Sequence, residues 1–295
     1  MTDGVPTLVD PDWLEAHLDD PDLRVLDATV HLEFDEETGE RDSDSGYDDW
    51  ADGHVPGSVY APMLTDLTAE DPAFPYELPG AERFAAAMGR LGVGDDSRVV
   101  VYDDAGGNWA TRLWWMLRVY GFDAVGVLDG GWSRWVDDGR PVSTDDPDVE
   151  AATFSPEFRP ELVADAETVL ASIDDDGTCI VDALRREDHV GDGVNKYGRR
   201  GRIPSSVNVP AVGDDAIVDD GRGFDSRETL RERFEAAGAT DSDRVVSYCG
   251  DGIAATGTAF ALYLLGVEDV AVYDGSLSEW GGDPDLPMAT GEPDR

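Results

Sequence analysis

Lysine is almost missing from this chain: Lys196 is the only one in 295 residues. Cations as a class are scarce, because Lys and Arg total 22 against 65 Asp and Glu, for a formal charge of −43. The acids are spread over the whole length rather than gathered in a tail. Such a hydrated carboxylate surface suggests a cytosolic protein of a salt-loving organism. It repels nucleic acid and anionic membranes, which excludes both as main partners. Long apolar runs are also absent, so no segment is expected to cross a bilayer. Met1-Thr2-Asp3-Gly4 has neither the positive charge nor the following apolar stretch of a signal peptide. The four histidines, His17, His31, His54 and His189, show no ligand spacing, and no metal is expected. Cysteines number two, and a cytosolic setting favours free thiols over a disulfide.

What is present argues for a folded protein. Hydrophobic residues make up 41% and tryptophans number eight, enough for a core and too many for disorder. The length suits two domains. Cys179, within Thr178-Cys179-Ile180-Val181-Asp182, reads as a buried residue of a short apolar strand. Cys249 reads differently. The strand Val245-Val246-Ser247-Tyr248 ends on it, and Gly250-Asp251-Gly252-Ile253-Ala254-Ala255 then turns into an alanine-rich helix. N–H groups of such a turn and of the first helical residues have no intrahelical acceptor, so they are expected to converge on the sulfur and favour the nucleophilic thiolate.

The chain also repeats itself. Ser97-Arg98-Val99-Val100-Val101-Tyr102-Asp103 matches Asp243-Arg244-Val245-Val246-Ser247-Tyr248-Cys249, which sets Asp103 against Cys249, 146 residues on. Leu128-Asp129-Gly130-Gly131-Trp132 answers Tyr273-Asp274-Gly275-Ser276-Leu277, and Gly53-His54-Val55-Pro56-Gly57 answers Gly201-Arg202-Ile203-Pro204-Ser205. A period this long means duplicated domains rather than a solenoid. Within each copy short β-branched strands alternate with helical segments, the pattern of an α/β fold with a mainly parallel sheet flanked by helices. The expected division is 1–140, a linker over 141–160 where Asp, Pro and Ser dominate, and 161–295.

Two copies, a cysteine loop in the second only, and paired Asp-Gly strand ends followed by Trp resemble the tandem-domain rhodaneses, the thiosulfate and 3-mercaptopyruvate sulfurtransferases. The resemblance covers nearly the whole chain. It implies two rhodanese-like domains, a catalytic cysteine in the C-terminal one alone, and a persulfide carried on Cys249, with Gly250 through Ala255 as the persulfide-binding loop. The expected reaction moves sulfur from a small-molecule donor to cyanide or a thiol, without a cofactor, in a protein that suffices as a monomer. His54 belongs to the family pattern, but a lone loop histidine reads as structural. The loop is nearer the mercaptopyruvate pattern Cys-Gly-Ser-Gly-Val-Thr, with Asp251 in place of the serine and Ala254 in place of the threonine.

An anionic donor needs local cations. Arg185, Arg186, Lys196, Arg199, Arg200 and Arg202 cluster between positions 185 and 202. The resemblance implies that this segment binds substrate, with Arg185, Arg186, Lys196 and Arg199 as unranked candidates. That arginine group suits a dianion, hence thiosulfate as the expected donor and 3-mercaptopyruvate as the alternative. A cysteine phosphatase would need an arginine closing the loop, whereas Ala255, Thr256 and Gly257 stand there. A non-catalytic rhodanese-like binding module is the alternative of another class.

Overall fold

The computed structural model describes residues 4–219 and 223–293. The outermost residues of the two expected domains, including Met1 to Asp3, lie outside the described residues. In the N-terminal half the elements are β1 (Leu8–Val9), α1 (Pro11–His17), β2 (Leu23–Asp27), β3 (Val30–Phe34), β4 (Arg41–Ser45), α2 (Tyr47–Asp52), β5 (Val59–Tyr60), α3 (Ala81–Arg90), β6 (Arg98–Tyr102), α4 (Asn108–Val119), β7 (Val125–Leu128) and α5 (Gly131–Asp137). The C-terminal half has β8 (Val163–Ala164), α6 (Ala166–Ser172), β9 (Thr178–Asp182), α7 (Arg186–Val190), β10 (Val207–Asn208), β11 (Val218–Asp219), β12 (Gly223–Phe224), α8 (Arg227–Ala236), β13 (Arg244–Tyr248), α9 (Ala254–Leu265), β14 (Val270–Tyr273) and α10 (Ser276–Trp280).

The duplication in sequence is a duplication in space. One five-stranded sheet runs β1-β7-β6-β2-β5, and the other, read from its opposite edge, runs β8-β14-β13-β9-β10. Every pairing in both is parallel, with Val25 facing Val100 in the first and Ile180 facing Val246 in the second. Parallel strands need helical crossovers that cover both faces. That is why Val99 to Tyr102 and Val245 to Tyr248 are buried without alternation.

Local chemistry sets the helix ends. Asp10 accepts the Asp12 N–H at 2.8 Å ahead of Pro11, and Ser226 accepts the Thr229 N–H at 3.2 Å to open α8. Helix α4 starts at Asn108, directly after Gly107, which ends the preceding loop at φ +82°. Residues 141–159 hold no helix or strand and lie along the N-terminal half. Ser143 exchanges backbone bonds with His54, and the Arg159 N–H reaches Val119 O at 2.7 Å.

Helices α4 and α9 join the halves. Both are buried nearly all round, and they meet through the Thr111 and Thr256 hydroxyls at 3.1 Å and an edge-to-face contact of Trp114 with Phe260. A helix apolar on every side belongs between two layers. As a result, one continuous core spans both domains. The hairpins β3–β4 and β11–β12 cross the same seam in opposite directions. Arg41 at the start of β4 pairs with Asp251, while the Phe224 N–H on β12 reaches Asp129 Oδ1 at 3.1 Å.

Candidate active site

Strand β13 delivers Cys249 to the end of the C-terminal sheet, where the chain turns sharply into α9. The backbone of the loop is held on both sides. The Cys249 N–H donates to Ser276 Oγ at 3.1 Å, and the carbonyls of Cys249 and Gly250 accept from the N–H groups of Leu277 and Ser278 at 3.1 and 2.9 Å. Ser276 takes the left-handed conformation at φ +47°, a small stored strain where the N-terminal copy has Gly131 at φ +55°. The serine gains the hydroxyl that binds the Cys249 amide. Gly252 stands at φ +74°, and Gly250 lies so close under the Tyr197 ring that any β-carbon there would collide with it.

The expected convergence on sulfur is present in part. The N–H groups of Asp251 and Ala255 face the Cys249 thiol, with Ile253 as the buried N-cap and Ala254 as the first residue of α9. The expectation of a ready thiolate needs correction, however. Cys249 is 2% exposed, and this burial pushes its thiol above the ordinary range. The Ala255 and Asp251 amides and the Ser276 hydroxyl pull it back, and the Asp251 carboxylate raises it further. The loop is covered by groups distant in sequence: the Tyr197 ring lies over Gly250, and Arg41 of the other domain's hairpin pairs with Asp251. Cys179 is also not fully buried as expected: it is half-buried on β9, with its sulfur 3.8 Å from Ala237 O.

The N-terminal copy shows what this kind of loop holds. The carboxylate of Asp103, at the position of Cys249, accepts three backbone N–H groups, from Ala105 at 2.9 Å, Gly107 at 2.8 Å and Ala110 at 2.7 Å. It is a buried carboxyl group in a cradle of amides, whose acidity burial weakens and the amides of Ala110, Ala105 and Gly107 partly restore.

Of the cations read as candidates, Arg199 lies elsewhere in function. Its guanidinium donates to the carbonyls of Trp280 at 2.7 Å, Leu286 at 2.8 Å, Gly281 at 3.1 Å and also Asp283, so it ties the C-terminal segment down. These partners are backbone atoms, which no sequence pattern announces. Lys196 Nζ sits 3.1 Å from both Asp188 oxygens and 5.6 Å from the Phe34 ring centre of the N-terminal hairpin. Arg185, the N-cap of α7, and Arg186 are 56% and 58% exposed. Arg185 stands 3.9 Å from Glu187, and Arg186 pairs with Glu292. Lys196, Tyr197 and Arg199 line a shallow cleft of about 230 Å³ with Asp188 and Leu277.

Other residues complete the surroundings of the loop. Arg112, 1% exposed on α4, donates to Gly252 O at 3.1 Å and to Tyr76 O at 2.7 Å, and stands 2.6 Å from Asp274 Oδ1. It is one of two arginines, with Arg118, in a largely apolar helix, and that was its one signal. Asp251, 4% exposed, accepts from Ser278 Oγ at 2.6 Å and from Arg41. His54 is wholly buried, stacked on Trp50, with its ring nitrogens facing the carbonyls of Trp50 and Asp145 at 2.7 and 3.1 Å. It braces the N-terminal half, far in sequence and contact from the cysteine loop. Among the described residues no three His, Cys, Asp or Glu side chains are grouped to hold a metal ion, and no helix is long and apolar enough to cross a membrane.

Comparison with known proteins agrees with this architecture. The rhodanese-like domain model matches residues 10–138 and again 165–283. The chain is 33% identical over 284 residues to the 3-mercaptopyruvate sulfurtransferase of Escherichia coli K12, covering 95% of this chain and 96% of that protein. It is 36% identical over 270 residues to the thiosulfate sulfurtransferase of Bos taurus, covering 88% and 85%. The crystal structure of SseA from Escherichia coli, a 3-mercaptopyruvate sulfurtransferase of rhodanese fold, superposes with a TM-score of 0.79 at 30% identity, over 92% of this chain and 99% of that one. With two matched copies, a shared fold and relatives aligned nearly end to end, the chain belongs to the rhodanese family of sulfurtransferases.

Proposed function

We propose that Cys249 carries the transferred sulfur as a persulfide and that the donor is 3-mercaptopyruvate. The observation that carries the first part is the Asp103 cradle. An aspartate places Oδ as many bonds from its β-carbon as a cysteine persulfide places its terminal sulfur, and in the duplicate loop two amides, of Ala105 and Gly107, hold Oδ1 while that of Ala110 holds Oδ2. The Asp251 amide, equivalent to that of Ala105, and the Ala255 amide would hold the terminal sulfur anion in the same way.

The reaction is a double displacement. Cys249 loses its proton to solvent, and the thiolate attacks the donor sulfur. The carbon–sulfur bond breaks, its electron pair leaves with pyruvate as the enolate, and the proton of the donor S–H, released as the persulfide ionises, balances the one the enolate takes up. A thiol or cyanide then attacks the terminal sulfur and releases the Cys249 thiolate. With thiosulfate the bond that breaks is sulfur–sulfur and the leaving group is sulfite.

Charge favours the carboxylate donor over thiosulfate, the donor expected from the sequence. That expectation rested on a free arginine group, yet Lys196 is paired with Asp188, Arg186 with Glu292, and Arg199 is bound to carbonyls. A dianion would meet these matched cations and the Asp251 carboxylate, whereas a monoanion asks for a single donor group. At molar salt the Debye length is about 3 Å, so only contact counts. The test is a comparison of kcat/KM for the two donors together with the mass of the Cys249 peptide. A gain of one sulfur atom and a higher kcat/KM with 3-mercaptopyruvate are expected. A higher value with thiosulfate would reverse the donor assignment, and no added sulfur with either donor would leave a binding module.

Two further results follow from the burial of the thiol. Alkylation of Cys249 by iodoacetamide is expected to keep accelerating above the ordinary thiol pKa of about 8.5, because the thiol is raised; a plateau below that pH would contradict it. Removing the ring over Gly250 with Tyr197→Ala is expected to speed this alkylation about tenfold and shift its midpoint downward, by readmitting water. An unchanged rate would mean that Tyr197 does not control access.

A further inference from the structure

The cysteine loop meets a cation that the segment 185–202 does not supply. Arg41 lies on the hairpin of the N-terminal domain, in a strand otherwise made of Asp and Ser. Its Nη2 pairs with Asp251 and donates to Ser278 Oγ at 3.2 Å. The guanidinium lies 5.5 Å from the Phe34 ring centre and 5.8 Å from that of Tyr76, so two aromatic faces fix its position. Its Nε is buried and has no hydrogen-bond partner. Leaving a buried guanidinium N–H without an acceptor is unfavourable. Such a cost points to an acceptor that arrives with a ligand.

The other cations here are engaged differently. Arg112 is held by Asp274 and two carbonyls, Arg199 by carbonyls, and Lys196 by Asp188. We infer that Arg41 is a substrate-binding and specificity-determining residue contributed by the N-terminal domain: one edge of its guanidinium neutralises Asp251, and the Nε–H receives the anionic group of the sulfur donor. With Nη2 anchored on Asp251, the Nε–H remains as one directed donor for a carboxylate oxygen rather than a diffuse positive field. This inference rests on the reading that Cys249 is the sulfur carrier one residue from Gly250 and two from Asp251.

Binding without turnover tests it. In the Cys249→Ser background, calorimetric titration with 3-mercaptopyruvate and, separately, thiosulfate is compared with the same background carrying Arg41→Lys, Arg41→Gln, or Arg41→Gln with Asp251→Asn. Arg41→Lys keeps the charge beside Asp251 but lacks Nε–H, and it is expected to melt as the parent does while losing about tenfold or more in affinity for 3-mercaptopyruvate. The Arg41→Gln, Asp251→Asn pair is expected to stay equally weak. A smaller loss with thiosulfate than with 3-mercaptopyruvate is expected, because the Nε–H is assigned to a carboxylate oxygen. Parent-like affinity in Arg41→Lys, or full recovery in the paired variant, would overturn the proposal, because Arg41 would then only balance Asp251. The Cys249 peptide mass of the otherwise unaltered chain reports the sulfur-carrier reading separately. Persulfide without an Arg41 effect removes this inference alone; an Arg41 effect without persulfide removes the carrier reading and leaves an anion-binding site.

Discussion

Cys249→Ser is expected to lower sulfur transfer by about 10⁴-fold or more with either donor, whereas Cys179→Ser should stay within about twofold. The asymmetry follows from placement. Cys249 closes β13 at a loop whose amides face its sulfur, and its backbone is held by Ser276, Leu277 and Ser278. Cys179 stands within β9, paired in register with Val245, and its sulfur meets only a distant carbonyl. A hydroxyl at position 249 would keep the loop intact but cannot form a persulfide, so the variant should fold and melt like the parent. Comparable losses in both variants would remove Cys249 from its role. Steady-state assays with 3-mercaptopyruvate and thiosulfate, and a thiol as acceptor, measure both.

Arg112→Ala should destabilise the protein by about 3–5 kcal/mol, the range for leaving a buried charge without its partner. The Asp274 Oδ1 near Arg112 has no hydrogen-bond partner, so the guanidinium charge 2.6 Å away is its compensation. Two carbonyls, Gly252 O in the cysteine loop and Tyr76 O in the other domain, would lose their donors at the same time. The Trp115 ring would also lose the cation 4.7 Å from its centre. Urea unfolding gives the free energy, and the control is Arg112→Met with Asp274→Asn. Removing both charges and keeping most of the volume should recover more than half of the loss. If Arg112→Ala unfolds at the parent's midpoint, the contact contributes nothing, and the loop is held by its other bonds alone.

The duplication, the parallel α/β architecture and the position of Cys249 were legible because each depends on local pattern. Buried parallel strands appear as β-branched runs, and the strand, glycine turn and helix around Cys249 follow one another in the chain. The chemistry of the site was less legible. The state of the thiol depends on Tyr197 lying over Gly250 and on a hairpin from the other domain, contacts decided by packing rather than by neighbours in sequence. Arg41 and Asp251 are 210 positions apart, and nothing in Arg41-Asp42-Ser43-Asp44-Ser45 marks that arginine. The basic cluster could not be ranked for a related reason. Charge counted along a chain cannot show that Arg199 ends on backbone carbonyls or that Lys196 ends on Asp188.

The two hairpins that cross the seam bear on how far this molecule can be divided. Each half roofs the loop of the other, α4 and α9 hide one another's apolar faces, and the arginines that steady the reactive loop come from the half that has lost its cysteine. A gene fragment encoding the second repeat by itself would yield a greasy surface and an unbraced thiol. The repeat that carries Asp103 in place of a cysteine is therefore the structural partner of the other, and the pair stands as one unit.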